Sequence, residues 1–144
     1  MYDKNKVYAD FGRSVMTFSK QFNMYLKCRL AEYDLNTAEG VVLLCLFENN
    51  GMTQEAMLNE IHYDKSVLAR TLQSLEKKQY TERKNNPDDG RSSIFFLTDR
   101  AEAFRTVMRD ILKDWSSKVF EGIKTEDIES CQSNIELMID NAKK

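Results

Sequence analysis

Along most of this chain apolar residues return at steps of three or four. Phe11, Val15, Phe18, Phe22, Leu26, Leu30 and Tyr33 form one stripe, and Phe104, Val107, Met108, Ile111, Trp115 and Val119 a second. A third comprises Ile128, Cys131, Ile135, Met138 and Ala142. Steps of this size return to one side of an α-helix at every turn, so the spacing predicts long amphipathic helices at both ends. Residues 64–78, DKSVLARTLQSLEKK, carry the same period more sharply. Asp64, Leu68, Leu72 and Leu75 share one stripe, while Ser66, Ala69, Arg70, Gln73 and Lys77 fall opposite. Just upstream, residues 52–61 predict a short helix, with Thr53 as its N-cap and Met57, Leu58 and Ile61 on one side. After Lys78 the pattern changes. Residues 81–85 and 92–97 have strand-like composition, and Asn86, Pro87, Asp88, Asp89 and Gly90 between them are turn formers, so a hairpin is expected.

A short helix, a second helix with a polar, basic face, and then a basic hairpin is the order of a winged helix-turn-helix, and it points to DNA. Ser66, Arg70 and Gln73 can hydrogen-bond base edges or phosphates, and Ala69 among them lets the backbone approach a groove. Lys65 and Lys77 extend the same face. On the hairpin, Arg91 follows the turn and Arg83 and Lys84 precede it; long cations on a narrow ribbon suit a minor groove, where negative potential concentrates. Asp89, two residues before Arg91, is expected to orient its guanidinium through a charge-assisted bond. The competing readings are an ordinary solvated helix face and a surface hairpin with incidental charges.

At this point the chain resembles the MarR family of bacterial transcriptional regulators. The resemblance rests on Leu75, Glu76, Lys77 and Lys78, then Glu82 and Arg83, then Asp89, Gly90 and Arg91 ahead of Leu97 and Thr98, in that order and spacing. It covers nearly the whole length. It implies a mainly α fold with a small β-hairpin wing: a winged helix-turn-helix lobe at 37–98, flanked by an N-terminal dimerisation helix at 1–36 and C-terminal dimerisation helices at 99–144. It also implies a homodimer joined through its first, fifth and sixth helices, each subunit offering a recognition helix to the major groove and a wing to the minor groove of a roughly palindromic operator on double-stranded DNA. A small aromatic or phenolic effector between the dimer helices and the DNA-binding lobe would shift the spacing of the recognition helices. Phe11, Phe18, Tyr25, Tyr33 and Trp115 are candidates for lining such a cleft, or else core and dimer contacts. Two positions depart from the family pattern. Gln79 stands where glycine usually ends the recognition helix in a left-handed residue, and Leu58 stands where a small residue is usual.

The terminal stripes carry more apolar surface than a winged helix of about sixty residues covers. A second copy is the simplest cover, and burial of the three helices against one another in a monomer is the alternative. A dimer would set two recognition helices about 34 Å apart, one turn of DNA.

The 144 residues suffice for one domain with a real core. Net charge is −2, but its distribution is uneven: seven cations against four acids give +3 over residues 65–91, leaving −5 for the remainder. Positive charge gathers where DNA would lie, which predicts modest, salt-dependent affinity. The longest wholly apolar run, residues 41–47, is too short to span a membrane, and the amino terminus lacks the apolar core of a signal peptide; a cytoplasmic location is expected.

Three cysteines without CxxC spacing argue against a disulfide framework or a zinc site. Cys45, inside an apolar run, should be inert. Cys28 lies in the first helix, between Lys27 and Arg29; the resemblance implies a peroxide- or thiol-responsive regulator as one alternative, since some members of that family answer to peroxides through a cysteine in this helix, and a winged-helix protein-interaction module without operator binding is another. The single histidine, His62, ends the short helix, where a cap or a phosphate contact suits it better than a base. With no glycine-rich phosphate loop, nucleophile elbow or metal-ligand cluster, the sequence points to a regulator, most simply a repressor, without enzymatic activity, metal or cofactor.

Overall fold

The structure, a computed structural model, describes residues 3–144. Six helices and three short strands follow in the order α1 (Lys4–Ala31), α2 (Thr37–Glu48), β1 (Met52–Thr53), α3 (Gln54–Glu60), α4 (Lys65–Lys77), β2 (Thr81–Asn85), β3 (Ser93–Leu97), α5 (Asp99–Val119) and α6 (Thr125–Ala142). The fold is mainly helical with a small hairpin, as the sequence pattern predicts. It divides into two compact units, one ending at Ile111 and the other running from Leu112 to Lys144.

The first unit is built around α2. This helix is apolar nearly all round, burying Val42, Leu43, Cys45 and Leu46, as expected of a helix surrounded by other elements. Its start is fixed by a capping box: the Glu39 backbone N–H donates to Asn36 Oδ1 (2.8 Å), and the Asn36 N–H donates to Glu39 Oε1 (3.0 Å). Helix α1 crosses close by. A Cβ on Gly40 would fall 2.4 Å from Leu30 Cδ1, so the absence of a side chain at Gly40 permits this approach. Only the carboxy-terminal part of α1 is covered, through Leu26 and Leu30; Phe11, Val15 and Phe18 remain about half exposed.

The sheet has three strands in the order β1-β3-β2, all antiparallel. β2 and β3 form the expected hairpin, in register from Thr81 opposite Leu97 to Asn85 opposite Ser93. β3 begins one residue later than the composition suggests. The third strand is an addition to that picture: Met52 pairs with Phe95 and Thr53 with Ile94, so Met52 belongs to a strand rather than to the helix that follows. Thr53 does cap that helix, its Oγ1 accepting the Ala56 N–H at 3.2 Å.

Asp64 also differs from expectation. It is not part of the apolar stripe of α4 but its exposed N-cap, accepting the Val67 N–H at 2.8 Å. The stripe that is buried consists of Leu68, Leu72 and Leu75.

At the other end of α4, Gln79 takes the left-handed conformation (φ 65°) normally left to glycine. The Tyr80 N–H donates to the Leu75 carbonyl (2.9 Å) and the Gln79 N–H to the Glu76 carbonyl (3.0 Å), the two bonds of a Schellman cap. Thr98 Oγ1 donates to the Gln79 carbonyl at 2.6 Å, and α5 begins on the same threonine. The helix therefore ends as a glycine-capped helix would, with the strain of a left-handed L-residue retained. Gln79→Gly is expected to raise stability by about 0.5–1 kcal/mol, the difference between that strain and glycine's greater freedom when unfolded; the denaturation midpoint in urea reads this directly, and an unchanged or lower midpoint would contradict it.

In the second unit, α6 buries no residue, and Ile135, Leu137, Met138 and Ile139 are 44–58% exposed. No described helix is long and apolar enough to cross a membrane.

Candidate nucleic-acid interface

Every polar residue expected on the outer face of α4 is solvent-exposed: Lys65, Ser66, Arg70, Gln73 and Lys77, standing over the buried Leu68, Leu72 and Leu75. Ala69 between them is partly covered. The helix is held at both ends, by Asp64 and by the Gln79 cap, and along its inner side by an unusual polar contact. Glu39 of α2 is fully buried. Its carboxylate accepts from Ser74 Oγ (2.9 Å) and Lys78 Nζ (2.9 Å) in addition to the Asn36 N–H. Lys78 Nζ donates again to the Asp34 carbonyl at 2.6 Å, and the Lys78 carbonyl accepts from Arg100. A buried carboxylate needs this degree of satisfaction, since an unpaired one is strongly unfavourable. The last turn of α4 is thereby joined to the α1–α2 corner and to the start of α5. No local pattern in the sequence signals this role for Glu39, which meets Ser74 and Lys78 across 35 and 39 residues.

Four candidate residues lie on the hairpin, and they divide into two groups. Arg83 on β2 is engaged by Glu76 of α4 (Nε to Oε1 3.3 Å, Nη2 to Oε2 3.0 Å). Lys84 lies 3.7 Å from Glu82 and 4.9 Å over the Phe96 ring. Arg91, like Arg70, has an exposed side chain with no ion pair or hydrogen bond to its guanidinium among the described residues. The expected bond between Asp89 and that guanidinium is replaced by another: Asp89 Oδ1 accepts the backbone N–H of Arg91 at 3.0 Å. A carboxylate two residues upstream closes a local turn more readily than it follows a long side chain into solvent. Asp89 therefore orients the backbone from which Arg91 projects. The turn is reinforced by the Ser92 N–H to the Asp89 carbonyl (3.1 Å), the Asn86 N–H to the Ser92 carbonyl (3.2 Å) and Asn86 Nδ2 to Ser92 Oγ (2.9 Å). Between α3, α4 and the hairpin lies a cleft of about 550 Å³ lined by Gln54, Lys65, Asn86 and Arg91 among others. Leu58 is partly covered on its wall. His62 is exposed in the α3–α4 turn, and the carboxy-terminal cap of α3 is the backbone of Ile61.

The aromatic residues proposed for an effector cleft are disposed otherwise. Tyr25 donates from its hydroxyl to the Ile111 carbonyl (2.7 Å) and accepts from Arg29 (2.8 Å), and Tyr33 packs edge-on against Phe104 at 5.2 Å. An open groove of about 620 Å³ does run along α1, but Met16, Lys20, Met24, Lys27 and Tyr63 are among the residues lining it and none of the five aromatics is. Burial pushes the Tyr63 hydroxyl above its ordinary pKa. Cys45 is buried, and desolvation together with the neighbouring Glu60 pushes its thiol up to about 11, well above the range of a reactive thiolate. Cys28 and Cys131 are exposed, and Arg29 beside Cys28 is turned onto the Tyr25 ring. Among the described residues no cluster of three or more potential metal ligands occurs.

The model of the MarR family matches residues 35–93 of this chain, the span from the start of α2 into β3. The HTH-type transcriptional regulator BilQ of Clostridioides difficile is 23% identical over 137 residues, covering 95% of this chain and 93% of BilQ. The chain belongs to the MarR family. SarZ of Staphylococcus aureus, another HTH-type transcriptional regulator, is 33% identical over 102 residues, which span 70% of this chain and 63% of SarZ. Among solved structures, a cysteine-to-serine variant of E. coli MarR complexed with operator DNA superposes with a TM-score of 0.79 at 19% identity, covering 95% of this chain and 99% of that one. That likeness establishes the MarR winged-helix fold for this chain.

Proposed function

We propose that this MarR-family chain is a sequence-specific double-stranded DNA-binding regulator, acting in the cytoplasm as a homodimeric repressor that a small-molecule effector releases, and that it is not an enzyme. The observation that carries the reading is the outer face of α4. Lys65, Ser66, Arg70, Gln73 and Lys77 are presented together to solvent on a helix fixed at both ends, beside a hairpin whose Arg91 has no protein partner among the described residues. Ser66, Arg70 and Gln73 are the base-reading set, Lys65 and Lys77 meet phosphates, and Arg91 enters the minor groove, with Arg83 and Lys84 at the root of the wing. The E. coli MarR fold found with operator DNA supports the same assignment. Exposed apolar side chains on α1 and α6 support a second copy as their cover. The α1 groove, with Lys20 and Lys27 set among methionines, favours an apolar effector bearing negative charge.

Selection from a pool of random duplexes, followed by a salt titration, tests the reading. An enriched, roughly palindromic site with salt-dependent affinity is the expected result. Binding that is weak and equal across all sequences would overturn it and would favour a protein-interaction module.

A further inference from the structure

Arg83 is a cation on the face assigned to DNA, yet it is the one whose fork is already filled. Its guanidinium meets both oxygens of Glu76, at 3.3 and 3.0 Å, and lies 6.0 Å over the ring of Phe95, its partner across the hairpin. Phe95 is 6% exposed and is also paired with Met52 of β1. The guanidinium is therefore held on one side by the sheet and on the other by the last turns of α4. A cavity of about 80 Å³ lies beside it, lined by Gln54, Ala69, Leu72, Gln73 and Phe95 together with Glu76 and Arg83 themselves.

Resting on the DNA-binding reading above, we propose that Arg83 is a positioning residue: clasped by Glu76, it sets the angle of the wing on the recognition helix instead of contacting DNA. The lever is long enough to matter. From Arg83 to the tip near Pro87 the strand rises about 13 Å, so a tilt of about 10° at the root moves the tip by about 2 Å, more than the tolerance of a groove hydrogen bond. Such a clasp adds little to stability, because the pair is half exposed (side-chain exposure 52% and 33%). Its effect falls on specificity.

A clasp and simple electrostatics act with opposite sign here. Glu76→Gln removes an acid from the DNA face, which by charge alone tightens binding to any duplex. Released from its clasp, the wing instead loses its seat. The full-length protein and its Glu76→Gln, Glu76→Asp and charge-exchanged Glu76→Arg/Arg83→Glu variants are compared on the duplex selected by the wild type and on an unrelated duplex, with thermal unfolding as the control for folding. Expected for Glu76→Gln is about tenfold weaker binding to the selected duplex, equivalent to losing one good groove contact, with unchanged or tighter binding to the unrelated one. Glu76→Asp keeps the charge but is too short to reach, and is expected to lose operator affinity with no change on the unrelated duplex. The exchange is expected to restore most of the loss. Tighter binding of Glu76→Gln to both duplexes, or wild-type affinity in Glu76→Asp, overturns the clasp while leaving the regulator reading intact. A wild type that selects no duplex overturns the regulator reading, and the clasp with it.

Discussion

Glu39→Ala is expected to cost about 3 kcal/mol of folding stability, near the lower end of the range for breaking a buried ion pair, although Glu39 lies against the inner side of α4, away from its exposed polar face. Its carboxylate is fully buried and answers three donors: the Asn36 N–H, Ser74 Oγ and Lys78 Nζ. Alanine removes the reciprocal half of the capping box and leaves the Ser74 hydroxyl and the Lys78 ammonium without their acceptor. The loss falls short of the full penalty because the Lys78 side chain is 27% exposed and can turn partly to water. For a chain of this length the melting temperature should fall by roughly 10 °C. Glu39→Gln, which keeps an acceptor for Asn36, should lose less than half as much. Lys78→Ala combined with Glu39→Ala should cost clearly less than the two single changes together, because the partners share one interaction. Urea denaturation of the four variants, Glu39→Ala, Glu39→Gln, Lys78→Ala and the double change, measures all of this, and a Glu39→Ala loss under 1 kcal/mol would show that the network stabilises little.

Arg70→Ala is expected to do the reverse, leaving stability within about 0.5 kcal/mol, as for other exposed positions without partners, while weakening binding to the selected duplex by ten- to a hundredfold. That is the range for losing a bidentate base contact, about 1–3 kcal/mol. The position of Arg70 between Ser66 and Gln73 on the exposed face predicts a second consequence: preference at one position of the half-site relaxes, and at its symmetry mate. Repeating the duplex selection with the variant separates the two possibilities. A uniform drop across all sequences, with the salt slope reduced by about 1, would make Arg70 a phosphate contact and not a reader of bases.

Much of this arrangement is written in local pattern. The boundaries of α4, the Thr53 cap, strand β2 and the exposed face with Ser66, Arg70 and Gln73 follow from period, capping chemistry and turn residues, all of which act over a few positions. What the chain hides is what it joins at long range. β1 is two residues long, and its pairing with β3 leaves no alternation to detect. Glu39 reaches Ser74 and Lys78 across 35 and 39 residues, and no local signal distinguishes it from a surface acid. Asp64 falls on the apolar period of α4 by position, yet a carboxylate at a helix start is more stable accepting a backbone N–H than facing leucines. The choice of Arg83 for Glu76 and of Asp89 for the Arg91 backbone is likewise a three-dimensional competition among nearby charges.

The turn at residues 86–92 bears on the thermodynamics of association as well as on geometry. Its backbone is already closed by Asn86, Asp89 and Ser92 in the free protein, so docking the wing need freeze little beyond the torsions of the Arg91 side chain, about 0.5–1.5 kcal/mol, whereas an unstructured loop of that length would have to order every residue, at about 1–2 kcal/mol each. On the DNA-binding reading proposed above, the wing would meet a groove with its ordering entropy already spent during folding.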